Sequence, residues 1–349
     1  MLERYAYLNA GTFGPLPRAT VEAMQAVEQE ELEQGRSSRP YFERVLAERE
    51  TLRAGLAGIL HARPENVALT SSTTEGCNIV LRGLGIGPGD EVVTTDSEHP
   101  GLFGGLVASG ATLKLAAIRD LPAAEILAAL QAQITPRTRL IGISHVSWIT
   151  GAVLPVRELA GHGVPLLVDG AQGAGAIPVA VEELGADFYT VSAQKWLLGP
   201  AATGALYVAP SRVEDCRVAF PSYFSWKLPD YELRDGAVRF EGSWTPPASI
   251  AGLLASLAFA ADAGEERFAR ARAATERCRE LLLERGHHVV TEPDQGTLVS
   301  WRMEETDAVV RRLAAEGVVV RDLPGLGLVR ASCGFWTNDE DIERLLLGL

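Results

Sequence analysis

Between residues 65 and 208, short runs rich in β-branched residues alternate with stretches of helical periodicity, and this alternation limits the possible folds more than any other feature. Strands separated by helices need crossover connections, which are typical of a mostly parallel sheet with helices on both faces. We therefore predict an α/β fold with a seven-stranded sheet. Its strands are NVALT (66–70), EVVTT (91–95), ATLKLAA (111–117), RLIGIS (139–144), PLLVD (165–169), DFYTVS (187–192) and GALYVA (204–209).

The segments on either side of this region predict further helices and a second, smaller sheet. They contain helical patterns at 18–34, 41–60, 248–262, 265–285 and 306–316, and strand patterns near 296–302 and 326–331. The pattern changes near the stretch LPDYELRDGAVRFEGSWTPP, which is rich in turn-forming residues. We predict a large domain over residues 15–240 and a small α+β domain formed by residues 1–14 and 241–349.

Composition argues against several classes of function. At 349 residues and 47% hydrophobic content, the chain can bury a large core. A formal net charge of -13, with no cluster of Lys and Arg, argues against nucleic acid as a partner. Without an apolar run of 18 residues or a secretory h-region, we expect no membrane partner and a cytoplasmic location. The four cysteines are widely spaced and form no C-x-x-C pair, which favours reduced thiols and predicts no metal site.

Polar residues that follow the predicted strands are the first candidates for a site, because ligands of parallel sheets bind beyond the carboxyl ends of the strands. Ser71 to Thr74 precede a helical pattern, so their hydroxyl and N–H groups could hold a phosphate or form an ordinary helix cap. His99, next to Pro100 at a predicted helix start, could be a structural hydrogen-bonding residue or lie flat against a planar cofactor.

Two charged residues complete this set of candidates. Asp169 directly follows a buried run and needs a partner, because burying a lone carboxylate is costly. Lys195 lies 26 residues later, after the next strand, where partial desolvation would let it lose its proton and attack a carbonyl. A phosphate seat, a stacking ring, a carboxylate for a protonated heterocycle and an amine are together what pyridoxal 5'-phosphate requires.

An ordered set of motifs covers nearly the whole chain: YLNAGTFGPLP, SSTTEG, SEHPG, HVSWITGAVLPV, VDGAQGAG, SAQKWLLGPAATGALYV, RFEGSWTPP and LVRASCGFWTNDEDIERLL. This set resembles the class V aminotransferase family of fold-type I pyridoxal-phosphate enzymes. That family includes cysteine desulfurases, isopenicillin N epimerase-like proteins and cysteine or cystine carbon–sulfur lyases. The resemblance implies that the large domain binds pyridoxal phosphate.

The resemblance implies a role for each matching residue around the cofactor ring. His99 would stack on the pyridine ring, and Asp169 would pair with the ring nitrogen and keep it protonated. Gln172 would donate to the phenolic oxygen, and Lys195 would form the Schiff base. His99, Asp169 and Lys195 are the residues to which we assign catalysis.

The phosphate group would be bound by Thr73, Thr74 and Ser192. In this family a hydroxyl from a second subunit often completes the phosphate site, and Ser243 or Thr245 in EGSWT would fit. The resemblance therefore also implies a homodimer with shared active sites.

Three residues are expected to contact an amino acid substrate. Arg330 resembles the arginine that binds the substrate α-carboxylate in a bidentate manner. Asn9 and Trp148 are further candidates. Related desulfurases often have asparagine at position 148 and histidine at position 194, whereas this chain has Trp148 and Gln194.

The position of the desulfurase nucleophile also differs. In desulfurases a cysteine lies on a loop roughly fifteen residues before the arginine, but the segment AEGVVVRDLPGLGLVR contains none. Cys333 follows Arg330 by three residues, and we interpret it as a small buried residue. The sequence therefore disfavours a desulfurase that forms a persulfide on the protein.

These features predict an enzyme in which the substrate displaces Lys195 to form an external aldimine and Lys195 then removes the α-proton. A cysteine- or cystine-type carbon–sulfur lyase is the hypothesis favoured by the missing nucleophile and the ending GFWTNDEDIERL. The alternatives are an aminotransferase, an epimerase similar to isopenicillin N epimerase, and a non-catalytic protein that keeps the fold.

Overall fold

The computed structural model describes residues 1–349 without a gap. Its strands are β1 (Ala6–Tyr7), β2 (Val67–Thr70), β3 (Glu91–Thr95), β4 (Thr112–Ala116), β5 (Thr138–Ser144), β6 (Leu166–Asp169), β7 (Phe188–Ser192), β8 (Gly204–Val208), β9 (Trp226–Lys227), β10 (Glu232–Leu233), β11 (Leu298–Arg302), β12 (Val318–Val319), β13 (Arg321–Leu323) and β14 (Leu328–Ser332). Its α-helices are α1 (Arg18–Gln34), α2 (Arg39–Ile59), α3 (Thr73–Gly83), α4 (Pro100–Ser109), α5 (Ala123–Gln131), α6 (Val156–Ala160), α7 (Val181–Leu184), α8 (Pro247–Asp262), α9 (Glu266–Glu284), α10 (Thr306–Ala315) and α11 (Asp339–Gly348).

The seven predicted strands form one sheet in the order β2-β8-β7-β6-β5-β3-β4. All neighbouring pairs from β7 to β4 are parallel, whereas β8 runs antiparallel to both β2 and β7. The prediction of a mostly parallel seven-stranded sheet is therefore confirmed. The carboxyl ends of β3, β5, β6 and β7 meet at one edge, so the residues that follow them lie close together.

Both faces of the sheet are buried, which explains why its central strands are continuously apolar. Side chains alternate across β6: Leu166 and Val168 belong to a core of 32 residues on one face, and Leu167 belongs to a core of 18 on the other. Asp169 continues the same strand and is the point where this apolar run ends. The last residue of β6 therefore places a buried carboxylate at the edge of the sheet.

A second sheet, in the order β11-β14-β13, is antiparallel and packs with α9, α10 and α11 around a separate core of 15 residues. Strand β1 pairs in parallel with β12, so the first residues of the chain join this part of the molecule. The predicted boundaries at 14/15 and 240/241 stay a prediction. No single helix is long and apolar enough to cross a membrane; α8 and α9 reach that length and apolarity only when combined across an 81° bend.

A buried charge cluster holds the outer strand β2 in place. The carboxylate of Glu241 is fully buried and accepts hydrogen bonds from the backbone N–H of Leu69 at 2.9 Å, from Arg49 at 2.5 Å and from Arg53. Arg53 also donates to the carbonyl of Val67. Because β2 leads directly into Ser72 and α3, this cluster fixes the starting point of that helix.

Replacing Glu241 with Ala should lower the free energy of unfolding by about 3–5 kcal/mol, because buried Arg49 would lose its carboxylate and buried Arg53 would keep only Glu50. Glu214→Ala is the matched control: it also removes a carboxylate bonded to an arginine, Arg239, but Glu214 is 82% exposed. The Glu214→Ala change should lower the free energy of unfolding by no more than about 1 kcal/mol. Urea unfolding followed by circular dichroism measures both, and equal losses would contradict the role given to Glu241.

Candidate active site

One cavity of about 200 Å³ lies at the edge of the large sheet where the strand ends meet. It is bounded by the segments that follow β2, β3, β5, β6 and β7, by residues 11–13, and by one arginine each from β13 and β14. The lining residues are Gly11, Thr12, Phe13, Ser72, Thr73, Thr74, His99, Trp148, Gln172, Ser192, Gln194, Lys195, Arg321 and Arg330. Eight of the predicted site residues are therefore together in one place.

One end of the cavity offers donors for an anion at the start of α3. Ser72 caps the helix by accepting from the N–H of Glu75 at 3.2 Å, so the helix-cap interpretation is confirmed and the phosphate role stays a prediction. The N–H of Thr73 lies 3.1 Å from Ser192 Oγ, and the two hydroxyls are 3.2 Å apart. A helix start and two clustered hydroxyls form a suitable phosphate site.

Asp169 is buried beneath the cavity and has one unused oxygen. Its Oδ1 accepts from the N–H of Ala171 at 2.9 Å, whereas Oδ2 is buried and has no partner. Burial raises the pKa of Asp169, and the positive charge of Lys195 opposes that shift. A cationic N–H placed at Oδ2 would stabilise the carboxylate form.

Lys195 follows β7, and its amine has no carboxylate within ion-pair distance and no hydrogen-bond partner within the chain. Burial lowers the pKa of Lys195 to about 8; the Asp169 carboxylate opposes the shift, while the charges of Arg330 and Arg321 add to it. The backbone around it is tightly packed: a Cβ on Gly14 would lie 2.1 Å from the Lys195 carbonyl oxygen. The backbone of Lys195 is therefore held in place, and its amine loses its proton more readily than that of a surface lysine.

His99 is the N-cap of α4, and its ring is fixed by two neighbours. Nδ1 accepts from the N–H of Gly101 at 3.0 Å, which assigns the ring proton to Nε2. Trp148 meets the ring edge-on, with centroids 5.2 Å apart at 88°. Burial, with the charges of Lys195, Arg321 and Arg330, lowers the pKa of His99 to about 4, so the ring is neutral at pH 7.

Arg330 is fully buried and lacks a carboxylate partner. Its NH1 donates to the carbonyl oxygen of Trp148 at 2.7 Å, but Nε and NH2 have no partner. Burial, with the charge of Arg321, lowers the pKa of Arg330 to about 9. A Cβ on Gly11 would lie 2.8 Å from Arg330 NH2, so glycine is needed there to leave the guanidinium room. The free edge of this group can bind a carboxylate in a bidentate manner.

A second cavity arginine, Arg321, was not predicted from the sequence. It lies directly opposite Arg330 on the antiparallel pair β13–β14, donates to Thr12 Oγ1 at 3.2 Å and has no acidic partner. Like charges opposite each other on neighbouring strands destabilise a sheet unless an anion lies between them. The signal was present in VVVRDLPGLGLVR, where the Pro-Gly turn sets the register that pairs the two arginines.

The remaining predicted residues either are already hydrogen-bonded within the chain or do not line the cavity. The Gln172 side chain donates through Nε2 to the Gly11 carbonyl at 2.9 Å and accepts from Trp196 at 2.8 Å, so one amide hydrogen remains for a ligand. Asn9 does not line the cavity, and its side-chain oxygen accepts from Thr12 Oγ1 at 2.8 Å. Neither Ser243 nor Thr245 lines this cavity, and their predicted role concerned a second subunit.

These residues fit pyridoxal phosphate on the grounds of their own chemistry. The orphaned Asp169 Oδ2 suits a protonated ring nitrogen, the start of α3 with Ser192 suits the phosphate, and Lys195 is an amine of lowered basicity. Each of these buried polar groups is costly without a ligand. One molecule that carries all three complementary groups would satisfy them together.

Two curated relatives match most of the chain. It is 31% identical to the isopenicillin N epimerase of Streptomyces clavuligerus, over 97% of this chain and 92% of the relative. It is 29% identical to a probable cysteine desulfurase of Halalkalibacterium halodurans, over 86% of this chain and 81% of the relative. The relatives thus differ in the reaction named for them.

Solved structures agree with this grouping. The cystine C–S lyase C-DES, in complex with its product cysteine persulfide, superposes with a TM-score of 0.92 at 30% identity, covering 99% of this chain and 97% of its own. A mutant of the same protein carries glycine covalently linked to the PLP cofactor. The family model for class V aminotransferases matches residues 6–345. The chain therefore belongs to the class V aminotransferase family and is a pyridoxal-phosphate-dependent enzyme.

Proposed function

We propose that this enzyme is a carbon–sulfur lyase that acts on a cysteine-type amino acid, and preferably on one with a second negative group, such as cystine. The observation that carries this proposal is the arginine pair at the cavity. Arg330 and Arg321 face each other with no protein carboxylate, and the eight residues between them contain no cysteine. Two cations suit a substrate with two carboxylates, and without a thiol the turn cannot accept sulfur.

The four cysteines support a lyase over a desulfurase. All are buried, and none lines the cavity. Burial raises the pKa of Cys77 and the pKa of Cys216, which makes both thiols poor nucleophiles. Cys333 is in the core with Cys278, behind the strand that carries Arg330. Sulfur released from a substrate would therefore leave as a free product.

When bound, pyridoxal phosphate supplies an aldehyde that condenses with amines and a protonated ring that withdraws electrons from the α-carbon. Asp169 would keep that ring protonated, and Thr73, Thr74 and Ser192 would hold the phosphate. His99, neutral and fixed by Gly101 and Trp148, would cover one face of the ring rather than transfer protons.

Lys195 and Arg330 would perform the steps on the substrate. Arg330 orients the α-carboxylate, and Lys195 takes the proton from Cα onto Nζ. Elimination then breaks the Cβ–S bond, with the bonding electron pair leaving on sulfur as a thiolate or persulfide anion. The cation of Arg321 would bind the distal carboxylate of cystine. Hydrolysis of the remaining three-carbon fragment gives pyruvate and ammonia.

The aminotransferase and epimerase alternatives share the proton removal by Lys195, and the similarity to isopenicillin N epimerase favours the second of them. They differ in products: the lyase gives pyruvate and ammonia, the aminotransferase gives the keto acid of its substrate, and the epimerase gives only the other stereoisomer. We also propose a homodimer in which Ser243 or Thr245 of one subunit reaches the phosphate site of the other.

Lys195→Ala should abolish the visible absorption that the wild-type protein shows with pyridoxal phosphate, because no other amine lines the cavity. The matched control is Lys227→Ala, which removes a surface lysine bonded to Asp235. The control should absorb like the wild type. Absorption that persists in the Lys195→Ala protein after dialysis would contradict the assignment of Lys195.

The capture of pyridoxal phosphate by cofactor-free protein should become faster as the pH rises and level off above a midpoint near pH 8. Only the neutral amine attacks an aldehyde, and the pKa of Lys195 is lowered to about 8 by burial, so the neutral form predominates above that pH. Stopped-flow absorbance over a pH series measures the midpoint. A rate that is still rising at about pH 10, as for an ordinary lysine, would contradict this value.

Arg321→Gln should lower kcat/KM for cystine by about 10- to 100-fold, because one charge-assisted hydrogen bond is lost. The kcat/KM for cysteine, which lacks the distal carboxylate, should change by less than about threefold. Arg311→Gln, on the exposed face of α10, is the control and should change neither. Pyruvate release from each amino acid is the assay, and an equal loss for both substrates would argue against a distal subsite at Arg321.

A further inference from the structure

A second polar cleft, the Arg119 cleft, lies away from the catalytic cavity and shares no residue with it. Its volume is about 230 Å³, and it separates the loop after β4 from the segment that leads into β11. It is lined by Arg119, Asp120, Leu121, Pro122, Ala123, Thr150, Ala152, His288, Val290, Glu292 and Arg302. The mechanism above uses none of these side chains.

Two arginines and two carboxylates line this cleft, and Arg119 is the arginine that forms no ion pair. Arg302 pairs with Asp120 at 3.6 Å, and Glu292 accepts from the N–H of Ala123 at the start of α5 at 2.9 Å. Arg119, by contrast, has no carboxylate within 4 Å of its guanidinium. Its NH2 donates to the neutral carbonyl of Asp96 at 2.5 Å, and its Nε is buried and unpartnered.

We propose that the Arg119 cleft is a binding site for a small oxyanion, a phosphate or carboxylate group carried by a metabolite. A guanidinium with unused N–H groups binds such oxyanions through directed, charge-assisted hydrogen bonds. His288 and the Thr150 hydroxyl supply further donors on the opposite wall, and Arg302 adds positive charge. Leu121, Pro122 and Val290 provide the apolar surface for the rest of the ligand.

The cleft shares a loop with the catalytic cavity. Thr150 faces the cleft, and Trp148, two residues earlier, lines the cavity and accepts from Arg330 at 2.7 Å. Between them, the Ile149 carbonyl accepts from Ser300 Oγ at 2.6 Å, and Ser300 is the register partner of Arg330 on β11 and β14. An anion that joins Arg119 to Thr150 would therefore restrain the carbonyl that positions Arg330.

This arrangement makes the site a regulator of substrate carboxylate binding. A bound anion should lower KM for the amino acid and leave kcat nearly unchanged, because it acts through the orientation of Arg330 and not through Lys195. The binding part of the proposal does not depend on which reaction the enzyme catalyses.

Isothermal titration of the holoenzyme with inorganic phosphate and, separately, with acetate tests the binding. The holoenzyme is needed because its cofactor fills the phosphate seat at Thr73. Saturable binding of either ion is expected. The ion that binds more tightly indicates whether the natural ligand carries a phosphate or a carboxylate group. Arg119→Gln should weaken it at least about tenfold, the effect of losing one charge-assisted hydrogen bond.

Arg311→Gln, an exposed arginine on α10, is the control and should bind like the wild type. If Arg119→Gln does not fold, as judged from its Tm, Arg302→Gln must show weaker binding in its place. No saturable binding of either ion, or unchanged binding in the folded cleft variant, overturns the site. A KM that saturating phosphate leaves unchanged overturns the coupling to Arg330.

Discussion

The catalytic cavity depends on buried charges whose partners the chain itself does not supply. Asp169 has an oxygen with no donor, Arg330 has two nitrogens with no acceptor, and Lys195 has no counterion. Desolvated groups of this kind destabilise a fold unless something satisfies them. The rest of the architecture can be understood as a scaffold that keeps these groups in place until cofactor and substrate supply the missing partners.

The contrast with Glu241 makes this point clear. That carboxylate is as deeply buried as Asp169, yet it accepts from two arginines and a backbone N–H. The cost of burying a charge is thus offset by protein hydrogen bonds at Glu241, whereas at Asp169 one oxygen has no hydrogen-bond partner. A buried ionic group that is fully bonded serves the structure, whereas one left with a free atom close to a cavity indicates a ligand.

The turn between β13 and β14 is the element on which the proposed lyase function depends most. It is short, contains no thiol and sets Arg321 opposite Arg330. In the proposed function, this element would offer no thiol to accept sulfur and would provide a second cation for an anionic group of the substrate. Together with the neutral, fixed ring of His99, it leaves Lys195 as the one group in the cavity suited to move a proton at neutral pH.

The sequence by itself determined the sheet, because seven apolar runs separated by helical patterns leave few other arrangements. It also determined that Thr73, His99, Asp169 and Lys195 lie close together, because the carboxyl ends of parallel strands share one edge of the sheet. It did not reveal Arg321, since pairing with Arg330 depends on strand register across a turn, which only the folded hairpin fixes. Nor did it show that the Gln172 side chain is already hydrogen-bonded to Gly11, which is far away in the sequence, and to Trp196, which lies on another loop. Local patterns determine which elements form, whereas long-range packing decides which polar atoms remain free, and those free atoms define the chemistry of the site.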